Sequence, residues 1–165
     1  MVQFYPSESQ PLTDRQAPEI PEDVKKELME YCKEDIDEIN EKWTDEDRKE
    51  LNDRNMNLKS EAGRAAAEAE FYKRFEAADA NCNDVLSIDE WFEFTEGYKV
   101  GREARREKFP EKEDDSLTRF WEICDKIKPK KEGEEKGISM AEIEAAFLFC
   151  GQHIIASCKG LESNS

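Results

Sequence analysis

Residues 79–90 read DANCNDVLSIDE. Oxygen-bearing side chains recur through this stretch in alternation: Asp79, Asn81 and Asn83 stand first, third and fifth of the twelve, Ser87 ninth and Glu90 twelfth. In a tight turn, alternate residues point toward one centre, where a hard cation such as Ca²⁺ needs about six to eight oxygens. Val85, the seventh, offers its backbone carbonyl, so its side chain is free to vary. Glu90 opens the following helix and carries two carboxylate oxygens. Leu86, the eighth, is apolar, which suits a short strand pairing with a second loop. Asp84, the sixth, is the departure. The motif turns there with positive φ and favours glycine; Asp tolerates that conformation at a cost of roughly 1 kcal/mol. The plain alternative is a polar turn between two helices that binds no ion.

The flanks favour a loop held between helices. EFYKRFEAA, residues 70–78, carries Phe71 and Phe75 four apart and Ala78 just before the loop. Beyond Glu90 come Trp91, Phe94 and Tyr98, with Thr95 as a weaker member. Steps of three and four put each set on one helical face. Aromatics at this spacing read first as core and second as a binding surface. In these residues and their order the chain resembles the EF-hand family, the calmodulin-like helix-loop-helix proteins. The resemblance implies an all-α fold: paired EF-hands forming a four-helix domain with a short two-strand bridge, plus an N-terminal helical extension. It makes Asp79, Asn81, Asn83, Val85, Ser87 and Glu90 the metal ligands, with Ca²⁺ as the ion and Mg²⁺ able to take the same site.

A second copy follows. SLTRFWEIC, residues 116–124, carries Leu117, Phe120, Trp121, Ile123 and Cys124 ahead of Asp125. EIEAAFLFC, residues 142–150, carries Ile143, Ala146, Phe147 and Cys150 after Glu142. From Asp125 to Glu142 the chain runs eighteen residues, six more than the motif. Lys128, Lys130 and Lys131 stand where carboxylates belong, so a cation there needs an unusual ligand set drawn from Glu132, Glu134 or Glu135. Ile138, four before Glu142, can still pair with Leu86. This copy reads as a degenerate hand, kept for its helices and its strand. One helix-loop-helix cannot bury its apolar face alone, whereas two back to back close a small core.

Composition sets the outer bounds. The chain has 165 residues with a net charge of −16, and 40% of its residues are charged. Mean hydropathy is −0.94, so the expected core is small, within one domain that carries an extension. The acidic balance argues against nucleic acid, whose phosphates need a basic footprint. No apolar run is long enough for a transmembrane helix. The start, MVQFYPSESQ, lacks the basic and apolar segments of a secretory signal, and Val2 stands where myristoylation needs glycine. The five cysteines, Cys32, Cys82, Cys124, Cys150 and Cys158, are odd in number and form no CxxC pair. That pattern points to reduced thiols and a cytoplasmic location. Cys150, His153 and Cys158 lack the fourth ligand and the pair spacing of a zinc site.

Outside the two hands, Pro6, Pro11 and Pro18 mark residues 1–20 as an extended or disordered start. Pro21 opens a helix with Glu22 and Asp23 in its first turn. Val24, Leu28, Tyr31, Ile36, Ile39 and Trp43 make that helix, about 22–42, amphipathic. Its stripe either docks on the pair or binds a partner helix. Thr44 is an N-cap for a helix near 45–57, and 60–78 reads as a further helix leading into the loop. Asp35, Asp37 and Glu46 have only partial loop spacing, with Lys42 where an apolar residue belongs, so plain helix is preferred there. Residues 99–112, the one locally basic segment, read as a solvated connector continuing as helix to near Pro110. The domain reading is therefore 1–20 disordered, 21–60 helical extension, 61–155 the EF-hand pair and 156–165 a flexible tail.

The functional expectation is a cytoplasmic calcium-binding protein. It has one competent site at 79–90 and a degenerate loop at 125–142, and it acts as a sensor whose apolar groove takes a target helix. Asp79 and Glu90 are the only charged ligands, so affinity is expected at roughly 10⁻⁶ to 10⁻⁴ M. Trp91, Phe94, Trp121 and Phe147 are the candidates to line the groove. The rival class is a structural adaptor that keeps the EF-hand shape and works without metal. An enzyme is not expected, because the chain has one histidine, no glycine-rich phosphate loop and no nucleophile motif.

Overall fold

Glu22 and Asp23 follow Pro21 and set their carboxylates against the N-terminus of the first helix, α1 (Glu22–Lys42). The structure is a computed structural model; it describes residues 19–106, 112–128 and 136–161. Five more helices follow among these residues: α2 (Asp45–Lys59), α3 (Glu61–Ala78), α4 (Ile88–Arg105), α5 (Asp114–Asp125) and α6 (Met140–Ser157). Two short strands, β1 (Val85–Leu86) and β2 (Ile138–Ser139), complete a mostly helical fold.

Local chemistry explains the joints. Trp43 and Thr44 are extended, which ends α1. Thr44 Oγ1 accepts from the Asp47 N–H at 3.1 Å, while the Thr44 N–H donates to Asp47 Oδ2 at 3.0 Å. This reciprocal box satisfies two of the donors a helix start leaves open. Ser60 serves both neighbours: its N–H donates to the Asn57 carbonyl, ending α2, and its Oγ accepts from the Gly63 N–H, starting α3. Helix α4 stops sooner than the basic stretch suggests. Arg106 turns left-handed at φ 60°, and its N–H donates back to the Arg102 and Glu103 carbonyls, which closes the helix.

β1 and β2 pair antiparallel, Leu86 opposite Ile138 and Val85 opposite Ser139. Both Leu86 and Ile138 are fully buried, so the pair seals the loop end of the core. Gly137 makes the approach possible: a Cβ there would lie 2.7 Å from Val85 Cγ2 and 2.9 Å from Val85 Cβ.

One apolar core runs through the helices, and aromatic rings form its centre. Trp91 stacks on Phe94 at 5.5 Å and on Phe120 at 5.4 Å; Phe120 in turn stacks on Phe147 at 5.6 Å. The two helix-loop-helix units are also tied by indole groups. Trp91 Nε1 donates to the Leu117 carbonyl and Trp121 Nε1 to the Leu86 carbonyl, each at 3.0 Å.

Helix α1 lies against α5 and α6. Its stripe of Val24, Leu28, Tyr31, Cys32 and Ile39 is buried in the common core, with the Tyr31 ring 5.2 Å from that of Phe120. Lys126 pairs with Glu27 at 2.9 Å and Arg119 with Glu30 at 3.7 Å along one edge. These exposed pairs add little; the apolar stripe holds the helix. Asp35 is buried and meets Lys112 Nζ at 2.8 Å, so its carboxylate neutralises a cation carried on the segment before α5. Residues beyond α6 join the same assembly: the Lys159 N–H donates to Asn40 Oδ1 and Asn52 Nδ2 to the Gly160 carbonyl. No helix among the described residues is long and apolar enough to cross a membrane.

Candidate metal-binding loop

The loop begins where α3 ends. The Asp79 N–H still donates to the Phe75 carbonyl at 2.8 Å, and Asp79 then leaves helical geometry at φ −80°, ψ 74°. Its carboxylate turns back over the loop: Oδ1 accepts from the Asn83 N–H at 3.3 Å and Oδ2 from the Asp84 N–H at 3.0 Å. Those bonds curl the chain around one carboxylate, and the side chain is buried beneath them. The curl needs two left-handed residues, Cys82 at φ 54° and Asp84 at φ 65°. Asp84 thus adopts the positive φ that its place in the sequence demands, where glycine would be free of strain.

Asn83 Oδ1 accepts from the Val85 N–H at 3.2 Å, an Asx turn that feeds the chain into β1. Ser87 caps α4, its Oγ accepting from the Glu90 N–H at 3.3 Å. Glu90 closes the circuit. Its Oε1 accepts from the Ser87 N–H at 2.9 Å, and its Oε2 from the Ala80 N–H at 2.8 Å, ten residues back. Bonds across one loop thus tie the Asp79 carboxylate to the Asn83 and Asp84 backbone and the Glu90 carboxylate to the Ala80 and Ser87 backbone. Asn81 is exposed on it, and Val85 lies in the strand. Cys82 is also exposed.

The donor set is chemically uniform: carboxylate, amide, hydroxyl and carbonyl oxygens, with no imidazole or thiolate among them. Oxygen-only sets suit Ca²⁺ and Mg²⁺ rather than zinc or copper. Among the described residues, no three His, Cys, Asp or Glu side chains gather in a way that could hold a metal ion. The candidate ligands include two carboxylates, Asp79 and Glu90, with neutral oxygens making up the rest.

At the second loop, Asp125 ends α5 and Glu142 lies in the first turn of α6. Lys130, Lys131, Glu132, Glu134 and Glu135 fall outside the described residues; Lys128 is exposed. Ser139 Oγ donates to Glu142 Oε1 at 3.0 Å and accepts from the Glu142 N–H at 3.2 Å. Buried Cys124 is held well above the usual thiol range by burial first, then by the Glu142 and Asp125 carboxylates. Ser87–Glu90 and Ser139–Glu142 occupy matching places in the two units. A Ser-x-x-Glu spacing in the sequence marks both, and with it the caps of α4 and α6.

Elsewhere the thiols are structural. Cys150 is raised by its hydrogen bond with Cys32 and then by burial, and Cys158 is pushed up to about 11, chiefly by burial. His153 stacks on Phe149 with centroids 6.5 Å apart, while Cys158 Sγ lies 4.0 Å from the Ile36 carbonyl oxygen.

No protein-family model, no curated protein and no solved structure matches this chain.

Proposed function

We propose that this chain is a calcium-binding protein of the EF-hand type, with one competent site at residues 79–90. The supporting observation is the loop between α3 and α4, in which the carboxylates of Asp79 and Glu90 reach across the turn from its two ends. The proposed ligands are Asp79, Asn81, Asn83, the Val85 carbonyl, Ser87 and Glu90; Mg²⁺ fits the same oxygen set. The second loop serves as scaffold: its strand completes the bridge and its helices cover the apolar face of the first unit. Calcium uptake would supply two positive charges to the loop that carries the Asp79 and Glu90 carboxylates.

The sensor part of this reading takes a particular form. Trp91, Phe94, Trp121 and Phe147 are all buried, and α1 lies over α5 and α6. A target helix would therefore have to compete with α1 for that apolar face.

A second reading has its own observation. All four carboxylate oxygens of Asp79 and Glu90 already accept backbone N–H groups, so the loop is closed by the chain itself. A metal-independent adaptor needs no more than that. Calorimetry with equilibrium dialysis separates the two. The calcium protein takes up about one ion per chain with Kd of roughly 10⁻⁶ to 10⁻⁴ M, and Glu90→Gln abolishes uptake. No uptake by wild type at millimolar calcium leaves only the adaptor.

A further inference from the structure

The peptide group joining Leu86 and Ser87 is engaged at both ends. Its carbonyl accepts from Trp121 Nε1 at 3.0 Å, and its N–H donates to Glu90 Oε1 at 2.9 Å. An indole on α5, in the second unit, is thus linked through one amide to the last carboxylate of the first loop. Leu86 is fully buried and Trp121 nearly so, which keeps water from competing for the carbonyl. Donation to a peptide oxygen polarises the amide and strengthens the donation of its own N–H. The second indole bond, Trp91 to the Leu117 carbonyl, lies outside the loop and carries no such link.

We propose that Trp121 is a positioning residue that holds Glu90 on the backbone and thereby sets the calcium affinity of the loop from the opposite unit. This rests on the calcium reading above. A cation drawing on the Glu90 oxygens competes with the Ser87 and Ala80 N–H groups. The stronger the Ser87 donation, the weaker the ion binds. Trp121 therefore works against the ion, and loss of its indole N–H tightens binding.

The test is a calcium titration of wild type, Trp121→Phe and Trp91→Phe, with proton–nitrogen NMR of each. Phenylalanine keeps an aromatic ring in the core but cannot donate. With chelator present, the Ser87 amide proton of Trp121→Phe moves upfield of its wild-type position, while that of Trp91→Phe stays in place. In the titration, Trp121→Phe binds more tightly by up to about twofold, the range a ~10–30% change in one hydrogen bond supports, and Trp91→Phe is unchanged. In wild type, calcium moves the Trp121 indole proton upfield and leaves that of Trp91 in place; this arm holds even where Trp121→Phe fails to fold. Unchanged or weaker affinity in a folded Trp121→Phe, an unmoved Ser87 amide, or an unmoved Trp121 indole proton on saturation overturns the proposal. A wild type that takes up no calcium removes the calcium reading itself, and this inference goes with it; the chelator spectra then still report whether the link through the peptide exists.

Discussion

Gly137→Ala tests the contact on which the pairing of the two loops depends. An added Cβ would meet Val85 Cγ2 at 2.7 Å and Val85 Cβ at 2.9 Å. The first contact could be relieved by a side-chain rotation; the second involves an atom fixed to the β1 backbone, so one strand must shift. Overpacking of this kind costs ~1–3 kcal/mol. For a chain of this size each kcal/mol moves the melting temperature by about 2–4 °C, so Gly137→Ala is expected to melt about 2–12 °C below wild type. Val85→Ala removes the Cγ2 contact and leaves the Cβ contact. Because Val85 is only half-buried, that change alone is mild. In the double variant part of the Gly137→Ala loss is recovered, a coupling of ~0.5 kcal/mol or more in a double-mutant cycle. Thermal melts and urea titrations of the four proteins supply the numbers. If Gly137→Ala melts with wild type, or loses the same amount with and without the Val85 γ-carbons, the close approach of β2 to β1 is not what Gly137 provides.

Two further predictions concern the core. Leu28→Ala, at a fully buried position of α1, should cost ~2–5 kcal/mol, and hydrogen exchange should rise in α5 and α6 as well as in α1; a rise confined to α1 would show that α1 is not part of the common core. The second concerns alkaline pH. The Cys158 thiol goes from 9.0 to about 11 on folding, chiefly through burial, and Cys124, Cys150 and Tyr31 shift in the same direction. Below pH 9 these groups are neutral in both states; above it the unfolded chain releases protons that the folded chain retains. Stability should hold to about pH 9 and fall as pH rises through 11, with Cys158→Ala falling less steeply; urea midpoints that stay flat from pH 8 to 11 would contradict the burial of these groups.

Local signals were readable in the sequence and long-range ones were not. Pro21 with its acidic neighbours and Thr44 place the first two helix starts because a cap is decided within a few residues. Leu86 and Ile138 were matched by counting back from Glu90 and Glu142, and they do pair. The stripe on α1 showed that the helix must bury one face but not which surface covers it, since that depends on residues about a hundred positions away, such as Phe120 and Lys126. Asp35 illustrates the same limit: the sequence favours plain helix there, as the structure has it, but nothing local points to its burial against Lys112. Gly137 carries no sequence signal, and Trp121 is legible only as an apolar helix position, not as an indole donor. Each matters through a single close approach to the first loop, by way of Val85 and Leu86.

Magnitudes decide what calcium can do to the packing of α1. Free ion at a hundredfold excess over Kd stabilises the state it binds by ~2.7 kcal/mol, and only the difference in affinity between two states can shift their balance. Burial of Val24, Leu28 and Ile39 contributes ~1.5–3 kcal/mol each to holding α1 in place, before Tyr31 and Cys32 are counted. Even at the low end, the three together contribute ~4.5 kcal/mol and exceed what the ion supplies, so calcium by itself leaves α1 docked. Release of α1 requires a second helix that covers the same apolar face of α5 and α6 and replaces the lost burial. The proposed sensor is therefore a two-input device, in which the ion lowers the cost of an exchange that the partner helix must complete. Hydrogen exchange on α1 distinguishes this from a simple calcium switch: protection of its buried stripe should survive saturating calcium, and its loss on calcium addition alone would mean that α1 is held far more weakly than its burial indicates.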